Sequence, residues 1–216
     1  MNDRVKSIIK DVLRMFSLTI AFMLICGIVF PMLLSGLGYL FFPDETRGSL
    51  IEVDGKVIGS KFVGQEFTKP YFMKGRPSAV HYNTYFISDE GKKVYSDGSE
   101  FTGIASGSQN LAPSNPLLAE RVKNDIDVFL EKNPEIAIKD IPTDLLTASG
   151  SGLDPHISLA SAMVQIPAIA SASGLSEEEL IEIVEKNTTH KLLGVFGEEA
   201  VNVLLVNIDI ANAMNK

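Results

Sequence analysis

The chain has 216 residues, enough for one ordinary domain and an additional segment. Asp and Glu number 27 against 19 Lys and Arg, which counts against nucleic acid or an anionic lipid surface as a partner by bulk charge. The one cysteine, Cys26, leaves no internal disulfide, no Cys-based metal site and no cysteine nucleophile in the region that follows it.

From the N-terminus, Arg4, Lys6, Lys10 and Arg14 precede 29 uncharged residues, Met15–Pro43. A bilayer core of about 30 Å needs roughly 20 apolar helical residues, so the run is long enough to span with tilt. A cleaved signal peptide has a shorter apolar core and a small-residue exit, whereas this run ends Tyr39-Leu40-Phe41-Phe42-Pro43. Lys and Arg stay on the cytoplasmic side. The expected organisation is therefore a cytoplasmic flank over residues 1–14, a transmembrane helix over 15–43 and an extracytoplasmic domain over 44–216. Pro31 removes the helical partner of the Gly27 carbonyl. With Gly36, these two residues mark either a tolerated kink in an inert anchor or a place where a partner helix can approach closely.

Beyond the span, Ser49–Val53 and Lys56–Ser60 flank Asp54-Gly55, a hairpin signal. Ser88–Gly107 is Gly/Ser-rich and is read as a loop or inserted hairpin. Asn115-Pro116 starts an amphipathic helix that Asn133-Pro134 stops. Asp154-Pro155 repeats that start and predicts a helix from His156 to about Ser173, kinked or divided at Pro167. Ser176 and Glu179 form a capping box. Val201–Val206 reads as a buried strand and Ile208–Met214 as a short terminal helix. Strands first, helices later and a closing strand predict an α+β domain on a single N-terminal transmembrane helix.

The residues suggestive of chemistry lie in Thr147–Ser158, TASGSGLDPHIS, which offers Ser149, Ser151, Asp154 and His156. A nucleophile elbow needs G-x-S-x-G, and the residues around Ser151 fail at both glycines. The three histidines show no paired metal spacing. A phosphate cradle would meet Asp154 at the supposed helix start and no following lysine. A capped, tightly turned helix entry, a protein-recognition surface and an anchored extracytoplasmic enzyme using Asp144–Ser158 remain as readings.

The order of motifs adds a family resemblance. GSLI at Gly48–Ile51, IGS at Ile58–Ser60, VGQEF at Val63–Phe67, RPSA at Arg76–Ala79 and SQNLAPSNP at Ser108–Pro116 follow the span. DLLTASGSGLDPHIS at Asp144–Ser158, Gln165 and VNVLLVN at Val201–Asn207 complete the series. Together they resemble the C subunit of the Kdp potassium-transporting ATPase of bacteria and archaea. The chain departs from that pattern at Ser106–Ala112 and at Ala168 and Ser173, where the family commonly has arginines.

The resemblance implies an accessory, non-catalytic subunit in the cell membrane. Its implied partners are a potassium-translocating subunit, a P-type ATPase subunit and a small additional membrane subunit. It implies that ATP and potassium are used by those partners, and that this chain assembles the complex and raises the ATPase subunit's apparent affinity for ATP. The outward orientation, the missing phosphate-binding lysine and Asp154 lead to the expectation that no ATP is bound here directly. A P-type aspartate in a DKTGT-like loop is missing from the sequence. The family's proposed nucleotide contact falls on Gln165, without its arginine at Ala168. The candidate partner-interface residues are Gly27, Pro31, Gly36, Arg76, Asn115, Ser149, Ser151, Asp154, His156 and Gln165. A free-standing structural or sensor protein is the third reading.

Overall fold

The structure, a computed structural model, describes residues 3–215, which form two compact units dividing after Leu50. The first unit is dominated by one continuous helix, Asp3–Phe41, the one helix among the described residues long and apolar enough to cross a membrane. It comprises α1 (Asp3–Leu24), a π-turn (Ile25–Val29) and α2 (Phe30–Phe41), followed by a single turn, α3 (Pro43–Thr46). The π-turn lies just ahead of Pro31. Proline cannot donate, and just ahead of it the ladder shifts to the wider register, with Phe30 N donating to Ile25 O. The helix therefore continues past the proline instead of ending there. Its apolar side chains are exposed throughout, as a lipid-facing or partner-facing helix requires.

The second unit is mixed helix and sheet. The first hairpin pairs β1 (Leu50–Val53) with β2 (Lys56–Ser60), and Asp54 (φ 52°) and Gly55 (φ 72°) close it as predicted. A second small hairpin, β3 (Phe86–Ile87) with β4 (Lys93–Val94), lies at the start of the polar stretch. After it comes α4 (Pro116–Lys132), capped by Asn115, whose Oδ1 accepts from Leu117 N at 3.0 Å. None of its residues is fully buried, so α4 lies on the surface with its apolar stripe half covered.

The core is built from the C-terminal third. A three-stranded sheet in the order β5 (His156–Ile157), β7 (Ala200–Asn202), β6 (Thr188–Thr189) has both neighbours antiparallel to β7. The helices α5 (Leu159–Met163), α6 (Ile166–Ser173), α7 (Glu177–Lys186) and α8 (Val203–Met214) supply the rest. Ile157, Ala162, Ile166, Ile169, Leu180, Val184, Val201, Val206 and Ile210 are buried together, and Met73 joins them from far upstream. Each such aliphatic side chain contributes roughly 1.5–3 kcal/mol by leaving water.

Two predicted elements are corrected. Asp154-Pro155 does not start a helix: His156 and Ile157 form a strand, and Ser158 is the true cap, its Oγ accepting from Ser161 N at 3.1 Å. The helix that follows is divided at Val164–Gln165, close to Pro167, in keeping with the predicted break. The run Val201–Val206 is not one strand either. Asn202 ends β7 and caps α8 through Leu205 N at 3.1 Å, so most of the apolar run is helical and α8 begins five residues before the predicted terminal helix.

Candidate functional site

Most of the candidates in the second unit converge where three loops meet: Gln65–Tyr82, Ser106–Gly107 and Thr147–His156. Arg76 is the bridge. Its Nη1 meets Asp154 Oδ2 at 3.1 Å, and its Nε and Nη2 donate to Thr147 O at 3.4 and 3.3 Å. Asp154 Oδ1 accepts from His156 N at 3.0 Å and lies 3.6 Å from His156 Nδ1. The hydrogen bond to His156, helped by Arg76, outweighs burial and holds the Asp154 carboxyl below its ordinary range. Asp154 thus closes an Asx turn and anchors Arg76, two uses that leave it no role as a helix cap.

Gly152 explains why this block carries glycine. Its φ is 69°, and a Cβ there would lie 2.8 Å from Gly107 O and 2.6 Å from Val80. The glycine lets backbone segments meet closely; Ser78 Oγ donates to Gly152 O at 2.7 Å and Gly107 N to Ser151 O at 2.8 Å.

Next to it, His81, Tyr82 and Asn83 occupy the left-handed region consecutively, at φ 48°, 53° and 55°. Each such residue costs about 1–2 kcal/mol, so the turn must be held from outside. Ser78 Oγ accepts from Tyr82 N at 3.0 Å, and Tyr82 Oη donates to Arg76 O at 2.7 Å. Asn83 exchanges a pair of 2.9 Å bonds with the backbone of Ala105. Burial pushes the Tyr82 phenol up, so it stays a donor.

Gln165 is 4% exposed, and its amide is fully engaged. Oε1 accepts from Lys74 N at 2.9 Å, while Nε2 donates to Lys74 O at 3.2 Å and Ser161 O at 2.9 Å. Asn207 treats the preceding residue in the same way: Met73 N donates to its Oδ1 at 2.7 Å and its Nδ2 donates to Met73 O at 2.9 Å. Two side-chain amides therefore pair with the N–H and C=O of two consecutive residues, as a neighbouring strand on each side would. Asn202 Nδ2 ties down Lys61 O at 2.8 Å. Asp144 accepts from Ser158 N at 2.8 Å and Ser158 Oγ at 3.1 Å, and also from Ser161 Oγ. Burial works against the charge on Asp144, but those bonds prevail and lower its pKa.

Between this loop and α4 lies a cleft of about 510 Å³, lined by Glu66, Phe67, Lys74, Arg76, Asp125 and Phe129 among others. Lys74 Nζ donates to Phe67 O. Burial, with Lys132 nearby, lowers the Lys74 pKa to about 8.

The hydrolase constellation does not assemble. Ser149 is buried and its Oγ has no hydrogen-bond partner among the described residues, while Ser151 Oγ accepts from Leu153 N at 3.1 Å. His156 Nε2 faces Asn202 Nδ2 at 3.5 Å. Among the described residues no group of three His, Cys, Asp or Glu is placed to hold a metal ion. Asn115 caps α4, and Gly27, Pro31 and Gly36 lie on the long helix of the first unit. The sequence did not single out Lys74, Tyr82, Asp144, Asn202 or Asn207. For the two asparagines a signal existed: buried apolar runs rarely include Asn unless its amide has partners.

A family model described as "K+-transporting ATPase, c chain" matches residues 12–212. The chain belongs to that family, KdpC. The potassium-transporting ATPase KdpC subunit of Clostridium kluyveri is 52% identical, over 95% of this chain and 95% of its own length. That of Clostridioides difficile is 51% identical over 91% and 94%, and that of Caldanaerobacter subterraneus subsp. tengcongensis 39% over 96% and 97%. Membership agrees with the resemblance carried by the motifs, and with the N-terminal apolar helix.

Proposed function

We propose that the chain is an accessory, non-catalytic subunit of an ATP-driven potassium pump. It is held in the cell membrane by the helix Asp3–Phe41, with its second unit outside the cytoplasm. In this reading it joins a potassium-translocating subunit and a P-type ATPase subunit. The names of its relatives support the pump, and Arg4, Lys6, Lys10 and Arg14 support the orientation.

The observation that carries the reading is the state of Gln165. A side chain that is 4% exposed and spends both ends of its amide on Lys74 and Ser161 has nothing to offer a nucleotide. Any influence on ATP affinity is then indirect: the domain contacts the conformational states of its partners unequally and shifts their equilibrium. The test is ATP-dependent turnover of the pump assembled with and without this chain. The expected result is a higher KM for ATP, or no stable complex, when the chain is missing. An intact pump with unchanged KM and kcat would sink the proposal.

A further inference from the structure

The segment between β6 and β7 is a hairpin with an apolar tip. Leu192 N donates to Phe196 O at 2.8 Å and Phe196 N to Leu192 O at 3.0 Å. Leu193 (φ 55°) and Gly194 (φ 74°) close the turn. Glycine takes that geometry freely, but leucine pays about 1–2 kcal/mol for it. The strain hides nothing from water: Leu192, Leu193, Val195 and Phe196 are 69, 84, 75 and 65% exposed. Another run of exposed large apolar residues in the second unit, Tyr85, Phe86 and Ile87, is less exposed, at 44, 41 and 63%. At the base, Lys191 faces Glu198 at 3.6 Å and His190 faces Glu199 at 3.2 Å, with the Glu198 side chain 91% exposed.

We infer that this tip inserts into an apolar pocket on another subunit of the pump, a pocket whose rim is basic. The inference rests on the accessory-subunit reading. Charge selects the occupant. With Lys191 and His190 beside them, Glu198 and Glu199 still leave the base of the tip with one net negative charge when His190 is counted neutral, and beyond Pro43 the chain carries 25 acidic against 15 basic residues. A second copy would bring like charges together at the contact. A bilayer is a poor match, because anionic lipid would repel an acidic domain. Aliphatic and aromatic knobs in a desolvated pocket behave as binding hot spots.

The experiment uses the full chain carrying Cys26→Ser and Leu193→Cys, labelled at residue 193 with a polarity-sensitive dye. A parallel variant carries Leu193→Asp and Phe196→Asp. The expected result is a blue shift only in membranes that hold the other subunits, and a fall of about tenfold or more in complex recovery for the aspartate variant. A shift in vesicles holding this chain alone overturns the inference, in favour of lipid if it ignores chain density and of a second copy if it follows density. No shift, with the aspartate variant assembling like the unsubstituted chain, overturns it too. If the aspartate variant fails to fold, the dye decides. If the unsubstituted chain fails to join the pump, the accessory-subunit reading falls first; if it joins and only the tip proves irrelevant, this inference falls alone.

Discussion

The loop at Met73–Lys74 and the hairpin at Leu192–Phe196 reverse the ordinary distribution of side chains. The first is held inside by polar groups: Gln165 and Asn207 pair with its peptide groups, and both are nearly inaccessible to water. The second carries leucine, valine and phenylalanine into solvent on a strained turn. The difference separates two tasks. A loop 91 residues from Gln165 in sequence needs directional bonds to fix its place, because apolar contact alone sets no register. A surface that adds nothing to its own domain's core is free to serve a partner.

The comparison breaks first at the amide pair. Gln165→Leu leaves both peptide groups of Lys74 without their partners, a loss of about 3 kcal/mol in unfolding free energy, and Asn207→Leu acts similarly. On the hairpin, Leu193→Ser changes stability by less than about 0.5 kcal/mol. Urea unfolding of the full chain in detergent measures all three. Equal effects at the two regions would show that the tip is structural.

A smaller effect sharpens the account of the buried loop through pH. Lys74 releases its proton at about 8 in the folded chain, against 10.5 for an ordinary lysine. Between those values the unfolded chain binds more protons, so stability rises with pH over that window. Above about pH 10, Tyr82 works the other way, since its folded pKa is raised. Unfolding measured from pH 7 to 10 should show the rise, and Lys74→Met should remove it. An identical slope in the variant would show that the ammonium is not desolvated.

How much of this was legible depended on sequence distance. The Ser176–Glu179 capping box, the Asn115 cap and the Asp54-Gly55 turn were readable because donor and acceptor lie within three residues. Asp154-Pro155 misled because the same cap-like carboxylate was claimed by Arg76, 78 residues upstream. Val201–Val206 misled because periodicity does not separate a short apolar strand from a buried helix start, and the arbiter was the capping amide of Asn202. Arg76, Asp154, His156 and Gln165 could be named as candidates from the sequence. Their bonds could not be, because Lys74, Thr147 and Ser161 gave no local sign of being their partners. Pro31 was read as removing the helical partner of the Gly27 carbonyl; the π-turn Ile25–Val29 just ahead of it was not foreseen.

The central claim is that this chain influences ATP use without holding ATP, since the amide at Gln165 is already taken. Isothermal titration of ATP with magnesium into the full chain alone, in detergent, tests that most directly. The account expects no saturable heat at concentrations that saturate the assembled pump. Stoichiometric, saturable binding to the isolated chain would contradict it.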